Sequence, residues 1–121
     1  MTLGTILKYQ EVLKKVTEIK LNGKKAYQRM KELEPIKKEL EVFDTLKNEF
    51  IEKNGVKDSE GIQIKQGTKE FNDYMKYVNE IAENEVEACK PFLVLDDLDD
   101  ELLTDLEMSG MIELGFLEIK D

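Results

Sequence analysis

The chain has 121 residues, of which 40% are hydrophobic and 37% charged, and it carries a formal net charge of −9. This length fits a single domain, 1–121, and the high charged fraction is typical of helices with solvated faces. With no histidine and one cysteine, the sequence excludes Ser-His-Asp and Cys-His catalysis, histidine or multi-cysteine zinc sites and an internal disulfide. The longest apolar run, Phe92–Leu95, has four residues, whereas roughly 20 are needed to span a bilayer. We therefore expect no membrane segment and, at Met1–Leu7, no secretory signal.

Two helical patterns occupy the first half of the chain and together predict a helical hairpin over about residues 3–54. In the first pattern, apolar residues recur three or four apart from 3 to 20, and Asn22-Gly23 is expected to end the helix. In the second, a narrow apolar stripe runs from 24 to 53, and Pro35 in its middle predicts a kink or a break into two helices. The stripe consists of Ala26, Met30, Leu33, Ile36, Leu40, Phe43, Leu46 and Phe50.

A β-hairpin or loop is predicted over 55–67, because Ile62 and Ile64 alternate with polar residues after a polar turn. Thr68 is a suitable cap for a third helix, and the apolar spacing extends that helix to about residue 87.

The acidic C-terminal segment, 88–121, contains shorter elements. Phe92–Leu95 is predicted to be a buried strand or a packed loop. A short helix is expected at about 100–108, ended by Ser109-Gly110, and alternating apolar residues predict a strand within 111–119. The fold class is therefore mainly α (α+β): an antiparallel long-helix hairpin or three-helix core, with a small β element and a short C-terminal helix and strand.

Charge is unevenly distributed along the chain. Residues 1–53 carry 12 basic and 9 acidic side chains, whereas residues 54–121 carry 6 basic and 18 acidic ones. The first part is thus net positive by 3 and the second net negative by 12. This asymmetry is compatible with two solvated faces or with a polarised docking surface.

Seven carboxylates and no basic residue lie within residues 96–107. Three interpretations stay open: a helix-start cap with a solvated acidic face, a contact patch for a basic partner, and a Mg²⁺ or Ca²⁺ site. The calcium-loop pattern is not met. Direct binding of nucleic acid is not expected, because Arg29 is the only arginine and the chain is acidic.

Partner binding is assigned to these acids and to aromatic anchors, and no catalytic, cofactor-binding or metal-binding residue is assigned. Tyr77 falls off the main apolar stripe of its helix, so we expect it to be an exposed anchor. Glu80 and Glu83 have the spacing of a metal-binding acid pair, but no second pair lies on a convincing facing helix. A Mg²⁺-dependent nucleotide hydrolase is therefore the least favoured of three functional hypotheses, behind the two protein-binding functions given at the end of this subsection. The predicted partner-binding residues are Tyr77, Phe92, Asp96, Asp97, Asp99, Asp100, Glu101 and Phe116.

The order of several segments is similar to that of a known group of proteins. The segments are Phe50-Ile51-Glu52-Lys53-Asn54-Gly55, Lys57-Asp58-Ser59-Glu60-Gly61-Ile62, Lys69-Glu70-Phe71, Asn79-Glu80-Ile81 and Glu85-Val86-Glu87, followed by a Leu-x-x-Leu segment and a terminal helix. This order resembles small tailed-phage and prophage proteins of unknown function, common in phages of Gram-positive bacteria. The likeness covers roughly residues 20–119 and consists of helix ends and turns. The resemblance implies a phage origin and a non-enzymatic role, and it assigns no functional residues.

We therefore expect a non-catalytic phage protein that acts through protein–protein interaction as a small virion, assembly or accessory component. Its expected location is the host cytoplasm or the virion. The expected partner is another protein, of the phage or of the host, or a second copy of the chain, and no cofactor is expected. The alternative is an early inhibitor of a host enzyme or defence protein, in which the acidic half imitates nucleic acid.

Overall fold

The computed structural model describes residues 1–59 and 61–119. It is mainly helical with small β elements, so the predicted fold class is confirmed. The elements are α1 (Leu3–Lys8), α2 (Gln10–Glu18), α3 (Gly23–Asn54), β1 (Val56–Asp58), β2 (Gly61–Gln63), α4 (Lys69–Ala82), β3 (Leu93–Val94), a 3₁₀ turn (Leu95–Leu98), α5 (Asp105–Glu113) and β4 (Leu117–Glu118). The buried apolar side chains form one cluster that draws on both halves of the chain. No helix within the described ranges is long and apolar enough to cross a membrane.

The single N-terminal helix predicted over 3–20 is in fact two helices that meet at Tyr9. The buried residues at the junction are Leu3, Ile6, Tyr9 and Val12, which are three apart. Nine residues make about two and a half turns of an α-helix, so an unbroken helix would place Leu3 and Val12 on opposite sides. The break at Tyr9 lets all four side chains face the core.

Asn22-Gly23 begins a helix rather than ending one. The Asn22 side chain accepts a hydrogen bond from the backbone N–H of Lys25 at 3.0 Å and so caps α3. Of the two outcomes predicted at Pro35, the break is wrong, since α3 runs unbroken from Gly23 to Asn54, and the kink stays a prediction. Pro35 itself is exposed, and the buried residues Leu33, Ile36 and Phe43 anchor the helix on both sides of it. Of the predicted stripe, Met30 is exposed instead.

The predicted hairpin and third helix are present, although α4 ends earlier than expected. β1 and β2 pair antiparallel, with Val56 opposite Gln63. Thr68 caps α4 by accepting from the backbone N–H of Phe71 at 3.1 Å. Beyond Ala82 the chain leaves the helix and pairs with the N-terminus, where the Val86 N–H donates to the Met1 carbonyl at 2.7 Å.

The C-terminal helix lies later in the chain than predicted, at Asp105–Glu113 instead of about 100–108. A capping box fixes its start: the Thr104 hydroxyl accepts from the Glu107 N–H at 3.1 Å, and the Glu107 carboxylate accepts from the Thr104 N–H at 3.0 Å. Ser109-Gly110, the predicted stop, lies inside the helix. The strand predicted within 111–119 is reduced to β4, which pairs parallel with β3.

Replacing Thr104 by alanine is expected to lower the free energy of unfolding by about 1 kcal/mol, because the change removes the hydroxyl half of the capping box. Urea denaturation measures the difference. Thr104→Ser is the matched control, since it keeps the hydroxyl and is expected to retain most of the stability. Equal losses in the two variants would contradict a capping role.

Candidate interaction surface

Phe92 and Phe116 are not surface anchors, contrary to the sequence-based prediction. Their side chains are 5% and 0% exposed, and their ring centroids lie 5.4 Å apart. The Phe116 carbonyl accepts hydrogen bonds from the backbone N–H groups of Phe92 and Leu93, at 3.1 and 3.0 Å. Both rings therefore pack the core beneath the acidic region and offer no surface to a partner.

Tyr77 is half-buried and packs against another helix of the same chain. Its ring stacks on that of Phe50 with centroids 4.9 Å apart, and Tyr74 approaches the same phenylalanine at 5.9 Å. These aromatic contacts join α4 to the C-terminal part of α3, so Tyr77 has a structural role here and is not a free anchor.

The predicted acids lie in a stretch that we call the acidic segment, residues 95–106. Two of its carboxylates are paired with lysines from the N-terminal helices. Lys25 Nζ of α3 lies 2.5 Å from Asp97 Oδ2, and Lys15 Nζ of α2 lies 3.4 Å from Glu101 Oε2. Part of the charge asymmetry seen in the sequence is therefore neutralised within the molecule, and the two ion pairs hold the acidic segment against α2 and α3.

Competing effects act on the pKa of Asp97. Partial burial on its own raises the pKa, but hydrogen bonds from Lys25 and from the Val94 N–H, together with the lysine charge, lower it below the ordinary aspartate value. A carboxyl with a lowered pKa contributes stability that is complete above its unfolded pKa of about 4 and is lost as the pH falls through the folded pKa.

We therefore expect wild type to be more stable than Asp97→Asn at pH 7, and the difference to shrink as the pH falls below about 4. Urea midpoints measured from pH 7 to pH 2 test this expectation. Asp99→Asn is the matched control, because Asp99 is exposed and should show no comparable pH-dependent gap. A gap of constant size at every pH would contradict the ion-pair explanation.

The remaining predicted acids, Asp96, Asp99 and Asp100, are exposed, as is Asp105 in the first turn of α5. Among the described residues, none of these four carboxylates has a lysine or arginine partner within 4.0 Å. Within the same residues, no group of three or more carboxylate, cysteine or histidine side chains has the arrangement of a metal site. Clustered, unpaired acids repel one another, and a basic surface would relieve that repulsion.

The exposed leucines of the acidic segment were not predicted from the sequence, which indicated only a short helix at about 100–108. Leu102 is 94% exposed, and Leu95 and Leu106 are also exposed. Leu98, by contrast, is buried, and Leu103 is partly buried against the core. At about 100° per residue, leucines at 95, 98, 102 and 106 all fall on one side of a helix, so their spacing alone does not separate the exposed leucines from the buried one.

Cys89 is half-buried, and its thiol donates to the Glu32 carbonyl at 3.3 Å. Burial raises the pKa of this thiol to about 11, with further contributions from the charges of Glu32 and Glu87. The sulfur is therefore protonated near neutral pH, and packing is its evident role.

Comparison with protein-family models, with curated proteins and with solved structures finds no match for this chain. The resemblance to tailed-phage proteins accordingly stays a prediction from the segments quoted above.

Proposed function

We propose that this chain is a non-catalytic phage protein that binds another protein through its acidic segment, as a small virion, assembly or accessory component. The observation that supports the proposal is the exposure of Leu102, of which 94% faces solvent between Asp99-Asp100 and Asp105. An apolar side chain surrounded by unpaired acids suits a partner with an apolar pocket and a basic rim.

The residues around Leu102 are fixed, which favours binding. On one side, Leu98 is buried and Glu101 is paired with Lys15; on the other, Thr104 and Glu107 form the capping box. The backbone that carries Leu102 is thus anchored on both sides before binding, so the ordering cost on binding falls mainly on the side chain itself. Burying one leucine contributes about 1.5–3 kcal/mol, and the acids add attraction and orientation to the encounter.

Inhibition of a host enzyme or defence protein by imitation of nucleic acid is the second candidate. The exposed, unpaired carboxylates of Asp96, Asp99 and Asp100 favour it. Pairing of Asp97 with Lys25 and of Glu101 with Lys15 opposes it, because it interrupts the row of negative charges that a phosphate backbone would present.

A photo-crosslinking amino acid at position 102, in chain produced in the phage-infected or lysogenic host, tests the proposal. The matched control carries the same crosslinker at Tyr27, which is 69% exposed on the outer side of α3. We expect position 102 to capture one defined protein that position 27 does not capture. Identical products at both positions, or none at position 102, would overturn the proposal.

The identity of the captured protein separates the candidates. A structural protein that is also found in purified particles supports the virion or assembly role. A host DNA-binding enzyme, released by competing DNA, supports the inhibitor instead and contradicts the first candidate.

A further inference from the structure

Helices α2 and α3 enclose an apolar groove of about 200 Å³. Its apolar floor and basic rim are complementary to the exposed leucine and the unpaired acids of the acidic segment. Its floor contains the buried residues Leu33 and Ile36 with the partly buried Leu13 and Leu40, and the lysines Lys14 and Lys37 stand on its rim. Both lysines are exposed, and among the described residues neither has a carboxylate within 4.0 Å.

The size and charge of the groove match a leucine flanked by acids. Pockets for whole small molecules usually enclose about 300–1,000 Å³, and this groove, at 200 Å³, is better suited to one branched side chain. An apolar floor with two basic residues on its rim complements Leu102 with Asp99-Asp100 before it and Asp105 after it.

The acidic segment does not reach the groove of its own molecule. Lys15 holds Glu101 on one side of α2, whereas the groove is lined from α2 by Leu13, Lys14 and Thr17. Around the helix, Lys15 is about 200° from Leu13 and from Thr17 and about 100° from Lys14, so the segment and the groove lie on different sides of α2. Leu102 is 94% exposed and does not occupy the groove of its own molecule, so a contact between them requires a second molecule.

We propose that the chain self-associates head to tail, with Leu102 of one copy inserted into the α2–α3 groove of the next. This inference rests on the proposed function in using the same acidic segment, and it names a second copy as the partner. Because the acidic segment and the groove lie on different sides of α2, we expect a heterologous contact, which generates rings or filaments, instead of a reciprocal two-fold dimer. The net charge of −9 on every copy opposes association, so a weak contact is expected.

Sedimentation velocity over about 10 µM to 1 mM, a range that detects weak contacts, provides the first test. Wild type is expected to sediment faster as its concentration rises. Leu102→Ser and the double variant Lys14→Glu/Lys37→Glu are each expected to stay monomeric throughout. A monomeric wild type at every concentration would overturn the inference.

Matched controls test whether association is lost merely because an exposed apolar side chain is removed or because two lysines are replaced by glutamate. Tyr27→Ser removes another exposed apolar side chain, and Lys31→Glu/Lys38→Glu makes the same charge change outside the groove. Both controls are expected to associate as wild type does. Loss of association in either control to the same extent as in its test variant would contradict the named contact.

Mixing the two inactive variants is the decisive measurement. Leu102→Ser retains an intact groove and Lys14→Glu/Lys37→Glu an intact acidic segment, so together they are expected to form 1:1 dimers that grow no further. A mixture that stays monomeric would exclude the head-to-tail arrangement. Capture of a different protein at position 102, with a monomeric wild type, would leave the proposed function standing while this inference fails. Capture of the chain itself, with a wild type that associates, would support this inference, and the absence of both capture and association would overturn both proposals.

Discussion

Replacing Phe116 by alanine is expected to lower the free energy of unfolding by about 3–5 kcal/mol, the cost typical of removing a buried phenylalanine. The side chain is fully buried and packs against Phe92, so its removal loses apolar burial and leaves a cavity. Small domains have total stabilities of about 5–15 kcal/mol, and the variant should therefore lose a large fraction of its stability. The shift of the urea midpoint at an unchanged slope measures this loss.

Tyr27→Ala is the matched control for the loss of an aromatic ring, because Tyr27 is largely exposed. A surface change of this kind is expected to alter stability by no more than about 0.5 kcal/mol. The comparison also separates the structural role of Phe116 from the anchor role predicted from sequence. An anchor would leave the stability of the free protein unchanged when truncated, so a loss below about 1 kcal/mol would contradict the packing described here.

Local signals in the sequence predicted those parts of the fold that depend on neighbouring residues. Thr68 caps α4 because its hydroxyl reaches an N–H three residues later, and the hairpin at 56–63 follows from a polar turn beside alternating residues. The mainly helical class follows from apolar spacing in the same way.

The errors occurred where contacts between distant residues decide the structure. Lys25 and Asp97 are 72 residues apart, so their pairing, which neutralises part of the acidic segment, has no local signature. The burial of Phe92 and Phe116 depends on the pairing of β3 with β4, two short strands separated by a whole helix. The unbroken α3 depends on core contacts on both sides of Pro35, which outweigh the local cost of the proline.

For the candidate interaction surface, the density of acids in the sequence identified a charged segment, but the exposed leucines among the acids were not separated from buried ones. Leu98 and Leu102 are four residues apart, a spacing that predicts one helical face. The chain between them is a turn in the structure, so Leu98 points into the core while Leu102 is exposed. Only the late start of α5, set by Thr104, reveals this difference.

Gly110 shows how a residue type that usually ends helices can instead be required by packing. A Cβ atom at this position would lie 2.6 Å from Val12 Cγ2 and 2.8 Å from Tyr9 Cδ1. Both neighbouring side chains are buried and have little room to move. The glycine therefore permits the close approach of α5 to the α1–α2 junction, and this approach fixes the C-terminal part of the chain, including the acidic segment, on the N-terminal helices.

Gly110→Ala is expected to lower the free energy of unfolding by about 2 kcal/mol. Overpacking a core typically destabilises a protein by about 1–3 kcal/mol, and contacts this short predict a cost near the upper end of that range. The higher helix propensity of alanine offsets roughly 1 kcal/mol of this cost. Two of the three close contacts are with the methyl groups of Val12. In a Val12→Ala background these methyls are absent and only the close contact with Tyr9 Cδ1 remains, so the same change should cost clearly less. A double-mutant cycle by urea denaturation measures the coupling, expected at about 1–2 kcal/mol. If Gly110→Ala costs the same in both backgrounds, close packing against Val12 is not the reason for the glycine.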